Sequence, residues 1–296
     1  AMPRRDIKAA GFSTLSLPGL LSNIANKEIL EGYMEENQAW RMVSAIKNVN
    51  DFKQVTTYRM LDNMEYELLP KGGRIAHGTT GEQTFTRQVR TYAKMYSITR
   101  EDIINDDLGA FDALRDRIGL GQAQKFNRVF WKAFLDNSTL FNSTNTNYIE
   151  GGTTNLGTDG VGLGLGVKAF DTMTTPAADG ARRYGGPAPE ILLVPPELRG
   201  VAEGIYIAKN GATVKVSDAN IHAGKYEPII VPFLSDSSLG SGASATAWYL
   251  LRKPSTAMAP VVVSFLDGVQ TPTVESSDAD FDPLGIQFRG YHAFGV

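Results

Sequence analysis

The stretch that decides the fold is DFKQVTTYRMLDNMEYELLPKGGRIAHGTTGEQTFTRQVRTYAKMYSITREDIINDDLGAF, residues 51–111. Its runs FKQVTTYRML and TFTRQVRTYAKMYSI are rich in β-branched and aromatic residues, which favour strands. Turn-forming residues lie between these two runs: Pro70, Gly72, Gly73, Gly78 and Gly81. The pattern predicts a long β-hairpin over residues 51–98.

Neither face of this hairpin is continuously apolar, because Arg, Gln, Lys and Thr alternate irregularly with Val, Tyr and Phe. A lone two-stranded ribbon is only marginally stable in water. We therefore expect neighbours that the hairpin lies across to stabilise it. An edge hairpin of an ordinary sheet is the alternative.

The residues before the hairpin divide into an arm and a helix. Residues 1–22 space single apolar residues with Ser, Gly and Pro, as in GFSTLSLPGLLS, which predicts an extended arm that docks on another surface. Apolar residues at helical spacing follow and predict a helix over about 23–37. That helix either packs in the core of the chain or binds a partner.

A long helix is predicted after the hairpin, from NDDLGAFDALRDRIGLGQAQKFNRVFWKAFLDNS, residues 105–138. Asp106 or Asp107 is the expected N-cap, and a bend is expected at Gly119 and Gly121. Apolar residues share one stripe of this helix: Phe111, Leu114, Ile118, Phe126, Phe130 and Phe134.

The C-terminal half mixes strands and helices. A glycine- and hydroxyl-rich loop is predicted over 142–166, and PEILLVPPELRGVAEGIYIAKNG (189–211) predicts a strand, a break at two prolines and a helix. Four further strands are expected in EPIIVPFL, TAWYLLR, APVVVSFLDG and GIQFRGYHAFGV. This element order indicates an α+β fold rather than a doubly wound sheet.

Composition excludes several classes of function. The 296 residues include no cysteine, which excludes disulfides, thiolate metal sites and cysteine nucleophiles. A formal net charge of -3 argues against wholesale binding to nucleic acid. No apolar run approaches the roughly 20 residues that span a bilayer, and no signal peptide is apparent. A cytoplasmic protein is therefore expected. Ala1 is either an added residue or an end made by a protease.

Motifs for nucleotide binding and nucleophilic catalysis are not matched. The alternating glycines at 160, 162, 164 and 166 lack the spacing of the dinucleotide fingerprint, so we interpret this run as a flexible loop. The sequence contains no phosphate-binding Gly-Lys-Ser/Thr pair and no Gly-x-Ser-x-Gly elbow.

Candidate metal ligands are isolated or misplaced. Asp278, Asp280 and Asp282 begin like a calcium loop, but Pro283 replaces its glycine and Arg289 its bidentate glutamate. Three isolated histidines remain: His77 in the hairpin tip, and His222 and His292, which we expect to pack with an ordinary hydrogen bond.

One carboxylate cluster precedes the long helix, formed by Glu101, Asp102, Asp106 and Asp107. Paired carboxylates can serve acid–base or metal chemistry. Negative charge is also favoured at a helix N-terminus, which makes capping the preferred interpretation. We therefore predict no catalytic, cofactor-binding or metal site and no enzymatic activity.

The order of these elements resembles that of the tailed-phage major capsid proteins with the Hong Kong ninety-seven phage fold. YSITREDIINDDLGAFDAL is similar to the junction between strand and spine helix in Mu-type major head subunits. The resemblance implies an N-terminal arm and short helix (1–50), an extended β-hairpin loop (51–98), a peripheral domain with the spine helix (99–148), an axial domain (149–259) and return strands of the peripheral domain (260–296).

The resemblance also implies function and partners. It implies a major capsid protein that assembles through hexamers and pentamers into an icosahedral shell around the phage genome. Packaged double-stranded DNA would lie inside the shell without sequence-specific binding, and decoration, portal and scaffold or protease proteins are candidate partners. The implied location is the virion, after assembly in the host cytoplasm and without a membrane. The alternatives are an encapsulin-type nanocompartment shell, a minor phage structural protein and a hydrolase using the carboxylates near 101–107.

The founding member of that fold joins a hairpin-loop lysine to a peripheral-domain asparagine through an isopeptide bond. Lys71 matches that lysine by location, but no asparagine follows Asn220 in this sequence. We therefore expect a shell without this cross-link.

Overall fold

The computed structural model describes residues 30–62, 66, 68–69, 71–75, 77, 80–99, 110–138, 140–143, 147–151, 154–157, 160–177, 180–183, 188–207, 220–255, 259–278 and 285–296. The predictions for the arm, for the carboxylates at 101–107 and for Asp280 and Asp282 lie outside the described residues.

Runs of several strands stand between the helices along the chain, which confirms the α+β prediction. The helices are α1 (30–35), α2 (Trp40–Val43), α3 (Ala110–Leu135), α4 (Val161–Thr172) and α5 (Arg199–Ile207). The strands are β1 (Ser44–Val49), β2 (Val55–Asp62), β3 (Thr80–Arg87), β4 (Arg90–Thr99), β5 (Thr174–Ala177), β6 (Gly180–Arg183), β7 (Ile191–Val194), β8 (Glu227–Ile230), β9 (Tyr249–Leu251), β10 (Val261–Leu266), β11 (Thr273–Asp278) and β12 (Gly285–Gly295). Short 3-10 turns occupy Pro196–Leu198, Pro232–Ser235 and Ser237–Leu239.

The chain divides into two compact units. The first comprises Ala1–Glu36, Thr91–Ala123 and Thr271–His292, and the second comprises Asn37–Arg90, Gln124–Gln270 and Ala293–Val296. The predicted boundaries of the arm, hairpin, peripheral and axial domains remain predictions.

The first unit is built on antiparallel pairing of β11 with β12, and β4 also pairs with β12. Tyr96 of β4 stacks on Phe288 of β12, with ring centroids 5.4 Å apart. A Cβ at Gly290 would lie 3.2 Å from Cγ2 of Ile118, so glycine lets α3 approach the strand closely. Ile118 belongs to the apolar stripe predicted for this helix.

An aromatic core organises the second unit. Strand β1 pairs in parallel with β10, and Phe265 of β10 lies opposite Phe294 at the end of β12. Phe126 of α3 lies 4.6 Å from both Trp40 and Phe294, measured between ring centroids. Tilted aromatic pairs of this kind bury large apolar areas. Phe126, Phe130 and Phe134 are all buried, as the predicted stripe requires.

A second, smaller sheet in the same unit has the order β8–β7–β9, with β7 parallel to β8 and antiparallel to β9. Every residue of β7 is buried, which explains its continuous apolar sequence ILLV. Ala202 and Ile205 of α5 share its core with Leu163 of α4. The predicted strand, proline break and helix are confirmed here.

The glycine run was predicted to be a loop, and that prediction is wrong: residues 161–172 form α4. Gly160 precedes it at φ 68°, a left-handed conformation that favours glycine. A Cβ at Gly162 would lie 2.0 Å from the carbonyl oxygen of Asn155, and one at Gly166 would lie 2.5 Å from the Trp248 ring. Close packing against this helix therefore outweighs the helix propensity that glycine lacks, about 1 kcal/mol per residue.

The hairpin forms but is shorter than the predicted segment 51–98. Strands β2 and β3 pair from Val55 opposite Arg87 to Asp62 opposite Thr80. The chain leaves the strand at residues 88–89, and β4 then pairs with β12. Residues 90–98 therefore belong to another sheet.

In the described parts of the chain, no helix is both long enough and apolar enough to cross a membrane.

Candidate functional site

The hairpin of β2 and β3 stands out because none of its described side chains is buried. Tyr58, Met60 and Phe85 are 61%, 69% and 50% exposed. Among the described residues the two strands form a sheet of their own, so each pairs there on one side only. A ribbon with this exposure has little apolar burial to stabilise it alone.

Both faces of the ribbon combine apolar and polar side chains, as predicted. Residues directly opposite each other share a face in an antiparallel pair. Tyr58 lies opposite Thr84 on one face, and Thr57 lies opposite Phe85 on the other. Each face therefore offers an aromatic ring beside hydroxyl groups.

The tip of the hairpin is more apolar and more exposed than its strands. Tyr66, Leu68 and Ile75 are 100%, 96% and 81% exposed, and Leu69 is also exposed. Clusters of exposed large apolar side chains mark interaction sites in soluble proteins. The sequence analysis did not predict this exposed apolar cluster, although its residues are present in the segments YELL (66–69) and RI (74–75).

Arg87 anchors the base of the hairpin. Its Nε donates a 2.7 Å hydrogen bond to Oγ of the buried Ser264 in β10, and its Nη1 donates one of 2.7 Å to Oγ1 of Thr57. Burial lowers the pKa of the Arg87 guanidinium, which still stays charged at neutral pH. The Gln88 side chain donates a 3.0 Å bond to the Phe52 carbonyl, and Val89 is buried. An exposed ribbon thus projects from a fixed base.

The three histidines are not brought together. His77 is exposed at the hairpin tip, whereas His222 and His292 are buried. The ring of His292 meets that of Tyr33 edge to face at 6.2 Å. The His222 ring lies against Gly160, and its buried Nδ1 has no hydrogen-bond partner among the described residues.

Electrostatics at His222 disfavour the imidazolium. Burial and the positive charge of Lys225 lower its pKa, and the hydrogen bond to the Gly160 backbone opposes them in part. Over the described residues, His, Asp and Glu side chains form no group of three or more that could hold a metal ion.

Comparison with known proteins identifies the family. A family model described as phage capsid protein matches residues 82–296. The chain belongs to this phage capsid protein family. No curated protein sequence matches the capsid protein.

Solved capsids share the fold of this capsid protein. The mature capsid of bacteriophage PhiM1 is 11% identical, with a TM-score of 0.54 over 88% of this chain and 83% of that chain. The capsid of cyanophage P-SCSP1u is 10% identical, with a TM-score of 0.54 over 86% and 83%. The capsid of cyanophage Pam1 is 10% identical, with a TM-score of 0.52 over 86% and 84%.

Family and fold together confirm the resemblance found in the sequence. The chain is a major capsid protein with the Hong Kong ninety-seven type of fold. Its role is structural, its location is the virion, and self-association into a shell follows from its family. The family favours this function over the nanocompartment and hydrolase alternatives.

Proposed function

We propose that the exposed hairpin joins neighbouring copies of this capsid protein into hexamers and pentamers, which close into a shell around double-stranded DNA. The observation that carries the proposal is the hairpin with no buried side chain among its described strand residues and with Tyr66, Leu68 and Ile75 almost uncovered at its tip. Burying such side chains stabilises an interface by roughly 25 cal/mol per Å² of apolar surface.

The geometry of the hairpin suits repeated contacts that are not all identical. In the part of the chain that the structure describes, each strand retains one unpaired edge, and main-chain hydrogen bonds at an edge do not depend on particular side chains. Contacts between different surfaces of identical subunits close into rings when the rotation allows it. Several modest contacts for each subunit then make the closed shell far more stable than any single pair.

The net charge of the chain fits a shell that encloses DNA better than a protein that recognises a DNA sequence. A formal net charge of -3 supplies no general attraction to phosphates. Assembly takes place in the host cytoplasm in this proposal, without a catalytic step by this chain. Portal, decoration and scaffold or protease proteins complete the particle.

Sedimentation velocity and negative-stain electron microscopy test the proposal on the full chain at physiological salt. We expect megadalton spherical particles, or isolated hexamers and pentamers. The triple variant Tyr66→Ser, Leu68→Ser, Ile75→Ser is expected to stay unassembled and to sediment as a small species. A matched control replaces Ile207 and Ile221, which are also exposed, with Ser. A chain that stays monomeric on concentration, or a tip variant that assembles like the control, would contradict the proposal.

A further inference from the structure

The two faces of the β2–β3 hairpin differ in exposure. Residues opposite each other in the pairing share a face, and successive residues alternate between faces. One face, which we call the Tyr58 face, consists of Thr56, Tyr58, Met60, Asp62, Thr80, Glu82, Thr84 and Thr86. The other, which we call the Arg87 face, consists of Val55, Thr57, Arg59, Leu61, Gly81, Gln83, Phe85 and Arg87. Every residue of the Tyr58 face whose exposure is described is exposed, whereas six of the eight on the Arg87 face are partly covered.

The Arg87 face is turned toward the body of its own chain. Nε of Arg87 donates its 2.7 Å bond to Ser264 in β10, and Nη1 donates to Thr57 on the same face. Arg59, further along this face, is also partly covered. The contacts of the chain with itself therefore leave the Tyr58 face open along its described length.

The composition of the Tyr58 face fits a protein interface. Tyr58 and Met60 lie two positions apart on one strand and are 61% and 69% exposed. Tyrosine and methionine are enriched where proteins contact each other, and the centre of such contacts is poor in charge. A tyrosine ring and a β-branched threonine have few rotatable bonds to order. Covering this face therefore costs little side-chain entropy.

The size of the face indicates the kind of partner. Each strand has eight residues, so the face is about 27 Å long and 10 Å wide, or roughly 270 Å². A stable pairwise interface buries about 800 Å² on each partner. The face alone is too small to hold a partner, and it fits one that is held at several places at once. Another copy in a self-associating shell meets this condition.

We propose that a second copy of this chain covers the Tyr58 face in the shell, while the Arg87 face stays against the subunit to which the hairpin belongs. This inference rests on the proposed function and specifies which side of the hairpin makes the contact. The covering surface is apolar opposite Tyr58 and Met60. It supplies a hydrogen-bond donor or a basic group to Glu82, because a covered carboxylate without a partner is costly.

Cysteine labelling of assembled particles tests the choice of face, because the chain has no native cysteine. Gln83 and Thr84 are adjacent, both exposed and on opposite faces, so they form a matched pair. Thr84→Cys is expected to react with a maleimide about 10-fold more slowly in particles than in unassembled subunits, because a covered thiol reacts only when the contact opens. Gln83→Cys should react at similar rates in both.

Three results of the labelling would overturn the inference. Protection of Gln83→Cys alone would place the contact on the Arg87 face. Equal protection of both positions would show that the shell encloses both faces. A Thr84→Cys that is already unreactive in unassembled subunits would show that the same chain covers the Tyr58 face.

Ile75→Cys at the tip separates a failure of this inference from a failure of the proposed function. Ile75 is 81% exposed in the single chain. If Ile75→Cys becomes protected in particles while Thr84→Cys stays reactive, the hairpin joins copies through its tip alone and only the inference is wrong. If Ile75→Cys also stays reactive in particles, or the unaltered chain does not assemble, the proposed function fails as well.

Truncation of one ring on each face provides a second test that needs no cysteine. Tyr58 and Phe85 lie on opposite faces and are 61% and 50% exposed. Tyr58→Ala is expected to raise the protein concentration required for assembly about 10-fold, the effect of losing one large buried side chain from an interface. Phe85→Ala should have a clearly smaller effect. Thermal unfolding of the unassembled variants checks that both keep their fold, and equal effects or a larger effect of Phe85→Ala would overturn the inference.

Discussion

Arg87 and Ser264 lie 177 positions apart in sequence and are joined by a 2.7 Å hydrogen bond that fixes the hairpin base to β10. Ser264 is 1% exposed, so water does not replace a partner that is lost there. Hydrogen bonds to charged groups contribute more than those between neutral groups. This bond therefore holds the base of the hairpin against β10.

Removing the Arg87 side chain is expected to destabilise the unassembled protein by about 1–3 kcal/mol, because the buried Ser264 hydroxyl loses its donor. Arg87→Ala, Ser264→Ala and the double variant form a cycle, measured by denaturant unfolding. The two single effects should not add, since they break the same bond. Additive losses would show that the Arg87–Ser264 bond contributes no coupling energy.

The alternating glycines of α4 offer a test within a single helix. A Cβ at Gly166 would lie 2.5 Å from Cη2 of Trp248, whereas one at Gly164 would come no closer than 3.8 Å to the His222 ring. Gly166→Ala is expected to destabilise by about 1–3 kcal/mol through overpacking. Gly164→Ala should stabilise by up to about 1 kcal/mol through helix propensity. Thermal unfolding of both variants checks the opposite signs, and equal shifts would contradict the packing account.

The same helix shows why sequence reasoning succeeded in some places and failed in others. The β7 strand and the stripe Phe126, Phe130 and Phe134 were predictable because local periodicity matched burial. The helix over residues 161–172 was not predictable, because its glycines pack against Trp248 and Asn155. No local sequence pattern encodes these contacts. Packing overrode propensity there.

Strands at sheet edges were missed for a related reason. SAIKNV in β1 and TVESSD in β11 are short, at least half of the residues in each are polar, and each pairs on one side only among the described strands. The hairpin β5–β6 was missed as well. Gly295 approaches the residue after Arg87 closely, since a Cβ at Gly295 would lie 2.3 Å from the Gln88 carbonyl oxygen. That contact between chain-distant residues has no local sequence signal.

Acidification is expected to destabilise the protein through His222. Burial and Lys225 lower its pKa in the folded state, so the unfolded chain binds the proton more tightly. The stability contributed by neutral His222 is present above the unfolded pKa of about 6.5 and is lost as pH falls toward the lower folded pKa. One such group accounts for at most about 1.4 kcal/mol per pH unit.

Unfolding free energies between pH 8 and pH 5 measure this effect. His222→Gln should have a shallower pH dependence than the unaltered chain over that interval. His77→Gln is the matched control, because His77 is exposed at the hairpin tip. A His222→Gln variant with the original slope would assign the acid sensitivity to other groups.

Mature particles are expected to lack the isopeptide cross-link between a hairpin lysine and a peripheral-domain asparagine. Lys71 is exposed in the hairpin turn and therefore accessible, but β10, β11 and β12 contain no asparagine to accept its amine, and none follows Asn220 in the chain. Denaturing gels of assembled particles should show a single band at 32.1 kDa. Lys71→Arg keeps the charge while removing the amine nucleophile, so its gel pattern should be identical. A ladder of higher multiples that disappears in Lys71→Arg would show that this lysine reacts with a different acceptor.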